Sequence, residues 1–161
     1  MSSLYGGHGI TYDVGPTPIL HLSLRPDVSL TEDEKRCFEQ NKKILLSDPY
    51  FCTWSEKQIA EYLLGRLDTL ARYFQFWYRS SRITFSKEIW GSCSWDDDIL
   101  INFNIALAPF RLREYLFVHE LVHTQIKDHG DEFWRLLDVC AHGKAKALDN
   151  ELQRYGMRLA I

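Results

Sequence analysis

Residues 119–123 read His-Glu-Leu-Val-His, and their surroundings place them on a helix. Pro109 suits a first helical turn, where its fixed φ is pre-set and a missing N–H costs nothing. Leu112, Leu116, Leu121, Val122 and Ile126 then supply an apolar surface, which predicts a helix from about Phe110 to Ile126 docked on a core. Residues four apart on such a helix differ by about 40° around its axis. The imidazoles of His119 and His123 therefore project in one direction, and both can reach one zinc ion at about 2.0–2.1 Å. Glu120 follows the first ligand and is placed to work on a water at the metal rather than to bind the metal.

A third histidine is close in sequence. His129 opens the segment His129-Gly130-Asp131, which interrupts the helical pattern and lets the chain turn back. Three protein ligands plus water is the arrangement of a catalytic zinc rather than a structural one. In that reading zinc lowers the pKa of its water and polarises a scissile carbonyl or phosphoryl oxygen. Glu120 takes the water's proton and passes it to the leaving group. Tyr115, Arg113, His142, Arg154 and Tyr155 are candidates to steady a developing oxyanion, and spacing does not choose among them. His8, His21 and His142 lack metal-ligand spacing and read as structural or exposed.

Composition bounds the alternatives. A chain of 161 residues is expected to be one domain, large enough to bury a core without disulfides. A net charge of −3 argues against a strongly basic nucleic-acid binder. Arg66, Arg72, Arg79, Arg82 and Lys87 lie close in sequence, but Asp68 and Glu88 dilute them, and they read as a solvated face. Cys37, Cys52, Cys93 and Cys140 contain no C-x-x-C pair, so neither a zinc ribbon nor a redox motif is supported. The N-terminal residues lack a basic segment followed by an apolar one, and no run approaches the ~18 apolar residues of a membrane span. The expectation is a cytoplasmic chain with reduced thiols and no membrane partner.

The Gly-rich residues 1–16 are expected to be loose. Leu20, Leu22 and Leu24 alternate as in a short strand. Thr31 with Glu34 resembles a capping box that opens a helix to about Leu46. Ser55 with Gln58 is a second such box, and Ile59, Tyr62, Leu63, Leu67, Leu70 and Phe74 continue at helical spacing to about Tyr78. Arg82–Ser86 reads as a strand, Trp90–Ser94 as a turn or loop, and Ile99–Phe103 as a second strand. Asp131 can cap a helix over Phe133–Cys140, and a last helix is expected from Lys144 to Arg158. The sum is an α+β fold, helix-rich, with a small β-sheet.

The stretch Trp90–Trp134 carries four motifs in order: WGSCS, N-x-x-L-A-P at Asn104–Pro109, V-H-E-L-V-H, and a His129 followed by Phe133-Trp134. In this the chain resembles the YgjP-like family of metal-dependent hydrolases, related to the WLM and SprT-like zincin metallopeptidases. The resemblance implies a minimal zincin-like domain with the sheet beside the H-E-x-x-H helix. It implies His119, His123 and His129 as ligands and Glu120 as the catalytic acid-base. It also implies that the strand from Ile99 to Asn104 borders the cleft, where a zincin strand can pair with an extended peptide. Trp90 and Cys93 of the WGSCS motif are expected to pack rather than react. The N-terminal region is shorter than in the family, Gly130 replaces a common Ser, and Ala141-His142-Gly143 departs from the usual Pro-Asp-Tyr.

Three functions follow. The first is a zinc-dependent, metallopeptidase-like hydrolase acting on peptide or protein, with another divalent metal open. The second is a metal-dependent pyrophosphatase for nucleoside triphosphates such as UTP, an activity to which the family has been linked. It needs cations around the metal, for which Arg111, Arg113, Lys127, Lys144, Arg154 and Arg158 are available, although no Gly-rich phosphate loop is present. The third is a binding or scaffold module with a weak site, which the intact Glu120 disfavours. The sequence leaves the oligomeric state open.

Overall fold

The computed structural model describes Glu32, Arg36, residues 55–86, residues 88–154 and the backbone of residues 158–159. Glu32 and Arg36 are helical, within the helix expected from Thr31 to Leu46. The rest of that helix, the strand at Leu20–Leu24, residues 1–16, Cys37, Cys52 and Tyr155 lie outside the described residues.

Helix α1 spans Glu56–Phe74 and starts as its capping box dictates. The Ser55 hydroxyl accepts from the Gln58 N–H at 3.2 Å, and the Gln58 side chain accepts from the Ser55 N–H at 2.8 Å. Ile59, Ala60, Leu63, Leu67, Leu70 and Ala71 form its buried stripe. The helix ends at Phe74, four residues before the expected Tyr78. Gln75 adopts a left-handed conformation (φ 60°), and the Phe76 N–H closes on the Ala71 carbonyl at 2.8 Å. Phe76 and Tyr78 are buried from non-helical chain, so the apolar spacing outlasts the helix itself.

Among the described residues four short strands form one sheet: β1 Ser80–Thr84, β2 Ile89–Cys93, β3 Asp98–Asn102 and β4 Arg158–Leu159, in the order β1-β3-β2-β4. β1 runs parallel to β3, β2 antiparallel to β3, and β4 parallel to β2. Trp90–Ser94, expected as a turn, is therefore mostly strand. Its small residues signal a turn, yet Gly91 sits in the ladder opposite Ile101. The real turn is Ser94–Asp97, with Asp97 at φ 64°. The register puts Ile83, Ile101 and Gly91 on one face with Ile99 and Cys93.

Phe103–Leu107 form a 3₁₀ helix where the sequence suggested a strand end. Asn102 organises this corner. Its amide donates to the Ser86 and Ile89 carbonyls at 2.6 and 2.8 Å, and its carbonyl accepts from the Asn104 N–H at 2.9 Å. The next helix, α2, spans Phe110–Val122, after Pro109 as N-cap. Every residue from Tyr115 to Val122 is buried. α1, the sheet and two later helices all pack on it: α3, Asp131–Cys140, and α4, Ala145–Gln153.

Three helix bounds differ from expectation. α2 stops at Val122 rather than Ile126, because the N–H groups of Thr124 and Gln125 tighten to bonds three residues back. Asp131 is the first residue of α3, not its cap; Gly130 is the N-cap and makes no side-chain bond. α4 ends at Gln153 rather than Arg158, and Arg158–Leu159 join the sheet beside β2 instead. Among the described residues no helix is long and apolar enough to cross a membrane.

Replacing Asn102 by Ala strips the Ser86 and Ile89 carbonyls of a buried donor. The variant is expected to lose about 2 kcal/mol of stability, read as a lower urea midpoint at unchanged slope; an unchanged midpoint would show the corner to be dispensable.

Candidate metal centre

α2 supplies His119 on its last full turn and His123 at its C-cap, where helical angles persist (φ −64°, ψ −15°). The chain then turns, and His129 returns from the loop just before α3. Three ring nitrogens converge. His123 Nε2 lies 3.0 Å from His129 Nε2, which lies 3.2 Å from His119 Nε2. The ligand atoms all fall within 4.8 Å of one another.

Phe133 of α3 holds the three rings together. It stacks on His123 with centroids 4.5 Å apart and meets His119 and His129 edge-on at 5.0 and 4.7 Å. Trp134 flanks His129 on the outside, with Lys146 Nζ 3.5 Å above its ring.

Burial sets the charge state of the imidazoles. His119 and His123 are each 1% exposed. Desolvation pushes His119 well below the usual histidine range, and the neighbouring histidines add to it. Desolvation likewise brings His123 down to about 4, against an opposing bond from the Ile126 carbonyl. His129, half-buried, is lowered by desolvation and partly restored by Asp149 and Asp128. Desolvation thus favours the neutral form of all three, the form that metal ligation requires.

The donor set fits a metal ion. His123 Nδ1 lies 2.8 Å from the Ile126 carbonyl, so its proton sits on Nδ1 and Nε2 offers a lone pair. Two ligands at about 2.1 Å on a tetrahedral zinc are about 3.4 Å apart, close to the spacings found. His119, His123 and His129 could therefore hold a metal, with Zn, Cu, Fe and Ni all suited to imidazole.

The Glu120 carboxylate lies against β2. It is wholly buried, and neither carboxylate oxygen has a hydrogen-bond partner among the described residues. Burial holds its pKa well above the usual carboxylate range. Gly91 makes room for it: a Cβ there would come within 2.8 Å of Glu120 Oε1 and 3.1 Å of Leu116 and the Leu100 carbonyl. The small residue of WGSCS thus has a packing reason in the carboxylate opposite.

Lys127 ties the loop between His123 and His129 to the β2–β3 turn. Its ammonium donates to the Ser94 carbonyl at 2.7 Å and to Asp97 at 2.5 Å, and lies 3.7 Å from Cys93 Sγ. Burial pushes the Cys93 thiol up to about 12, too high for a nucleophile at neutral pH. Trp90 and Cys93 are both buried in the core, as expected of packing residues.

Other expectations resolve differently. Tyr115 is 2% exposed and already bonded, its hydroxyl 3.1 Å from His119 Nδ1 and 2.8 Å from Asp149. Arg113 lies over the Phe110 ring, and His142 and Arg154 are exposed. β3 has neighbours on both sides, so it has no free edge for a peptide, contrary to the pairing that the resemblance implied. Arg66, Arg72 and Arg79 of the basic cluster pair with Glu114, Asp68 and Asp98.

The sequence reading missed Asp149 and the Ile126 carbonyl. Asp149 comes from another helix and has no signal. Tyr115 was noted for another role, although its position four residues before His119 put it on the ligand face.

The sequence matches the family model described as YgjP-like, metallopeptidase domain, over residues 20–155. The chain belongs to the YgjP-like family. Comparisons with curated proteins and with solved structures give no match. With a metallopeptidase-type domain and three convergent imidazoles, the class that the YgjP-like chain falls in is the metal-dependent hydrolases.

Added zinc is expected to raise the melting temperature in proportion to the logarithm of its excess over Kd, and a chelator to reverse the rise. In His123→Ala the rise should vanish along with bound zinc measured by elemental analysis; unchanged stoichiometry would remove His123 from the ligand set.

Proposed function

We propose that this domain is a zinc-dependent hydrolase of the metallopeptidase type, with His119, His123 and His129 as ligands and Glu120 as general base. One observation carries the reading: three imidazoles bring their Nε2 atoms together beside the helix that also buries a carboxylate with no hydrogen-bond partner among the described residues. Leaving a carboxylate without donors costs several kcal/mol in a structural role. Such a cost is usual where a group is kept for chemistry.

When bound, a zinc ion supplies Lewis-acid polarisation of the scissile bond and acidifies water. The protein's part is proton transfer and exclusion of solvent. Glu120 accepts the proton of the attacking water on a carboxylate oxygen and returns it to the leaving group. Its bare oxygens hold no competing hydrogen bond that must first break. Desolvation raises its proton affinity, and a bound dication would oppose that rise. Phe133, fully buried among the three imidazoles, keeps water off their inner side.

A peptide substrate accords better with the site than a nucleoside triphosphate. Phosphate binding needs cations free to turn toward the metal. Lys127 is engaged by Asp97 and the Ser94 carbonyl, and Arg111 by Glu151. With β3 internal to the sheet, the peptide is held by contacts other than pairing with that strand.

Glu120→Gln should retain zinc and lower kcat by about 10²–10⁴, assayed on casein-like peptides and on nucleoside triphosphates in parallel. Full activity in the variant would reject Glu120 as the base, and turnover of triphosphates alone would reject the peptidase.

A further inference from the structure

Behind His119 runs a line of polar groups that the proton transfer does not use. Tyr115 stands four residues earlier on α2, on the same helix face. Its hydroxyl lies 3.1 Å from His119 Nδ1 and 2.8 Å from Asp149 Oδ1. Gln153 of α4 donates to the other oxygen of Asp149 at 2.6 Å. Asp149 is 34 residues from Tyr115 in sequence and 8% exposed.

The donor count gives the line a direction. A carboxylate only accepts, so the single Tyr115 proton goes to Asp149. The hydroxyl oxygen is then left to accept, and its remaining neighbour is His119 Nδ1. That nitrogen must carry the proton, which leaves Nε2 bare toward His123 and His129. A buried neutral imidazole without a partner on Nδ1 could carry its proton on Nε2 instead, where it blocks the ligand atom.

We propose that Asp149, acting through the Tyr115 hydroxyl, is a positioning residue that fixes His119 in its Nε2-ligating tautomer. The inference rests on the metal-binding reading above and extends it to α4, outside the stretch Trp90–Trp134 that carries the four motifs. It also gives Gln153 a role, that of holding the carboxylate in line.

The test uses the full chain as wild type, Tyr115→Phe, Asp149→Asn and the double variant. Zinc affinity is measured by competition with a chromophoric chelator, and the His119 tautomer by ¹⁵N chemical shifts of the imidazole in metal-free protein. Each single variant should bind zinc about 10-fold more weakly. The double variant should be about as weak as the weaker single one, because hydroxyl and carboxylate act in one line. Wild-type His119 should show its proton on Nδ1, and Tyr115→Phe should shift it toward Nε2. Unchanged affinity in Tyr115→Phe, additive losses in the double variant, or a wild-type proton on Nε2 would each overturn the proposal. Should a variant not fold, the wild-type tautomer still decides. A wild type that takes up no zinc sinks the functional reading instead, while the tautomer measurement continues to test the Tyr115 bond.

Discussion

A helix buried on every side has to satisfy its polar side chains from within the protein, and α2 carries three of them. His119, Glu120 and His123 lie among nine consecutive buried residues, Tyr115 to His123. The histidines meet the requirement on one ring nitrogen each, through Tyr115 and the Ile126 carbonyl. Their other nitrogens face His129, and Glu120 has no partner among the described residues. The arrangement is costly for an empty core and economical for one that holds a cation and moves a proton. Much of the surrounding structure serves to keep that interior in place.

Two pieces of that surroundings act on the third histidine. The loop from Thr124 to Asp128 must reverse the chain so that His129 can come back to the helix it has just left. Lys127 pins that loop to the β2–β3 turn, and Phe133 fills the space between the rings from α3. Neither residue can supply a ligand atom, yet both limit where the His129 ring can go. A loop histidine held only by its backbone would sample many rotamers and lose the entropy on binding.

The sheet meets α2 through an absent side chain. Gly91 stands in the β2 ladder opposite Ile101, where a larger residue would strike the Glu120 carboxylate. Its smallness misleads local reading toward a turn, because glycine and serine are turn residues when neighbours are ignored. In the fold the same glycine is a contact surface. β3, buried between β1 and β2, fails as a peptide-pairing edge for a related reason: strand order is a property of the whole sheet and not of any one strand.

What the sequence determined by itself was local. The capping box at Ser55 and Gln58, the amphipathic stripe of α1, the strand at Ile99 and Ile101, and the helix after Pro109 all rest on residues within one or two turns of each other. The common direction of His119 and His123 belongs to the same class, since helical geometry alone dictates it. Tertiary structure decided where helices stop, which strands are neighbours, and what stands behind the ligands. Phe76 and Tyr78 kept their apolar spacing after α1 had ended, because burial does not require a helix. Asp149 reaches His119 only through Tyr115 and only because α4 packs on α2. No spacing rule connects residues that far apart, so the histidines that converge were legible in the sequence and the groups that stand behind them were not.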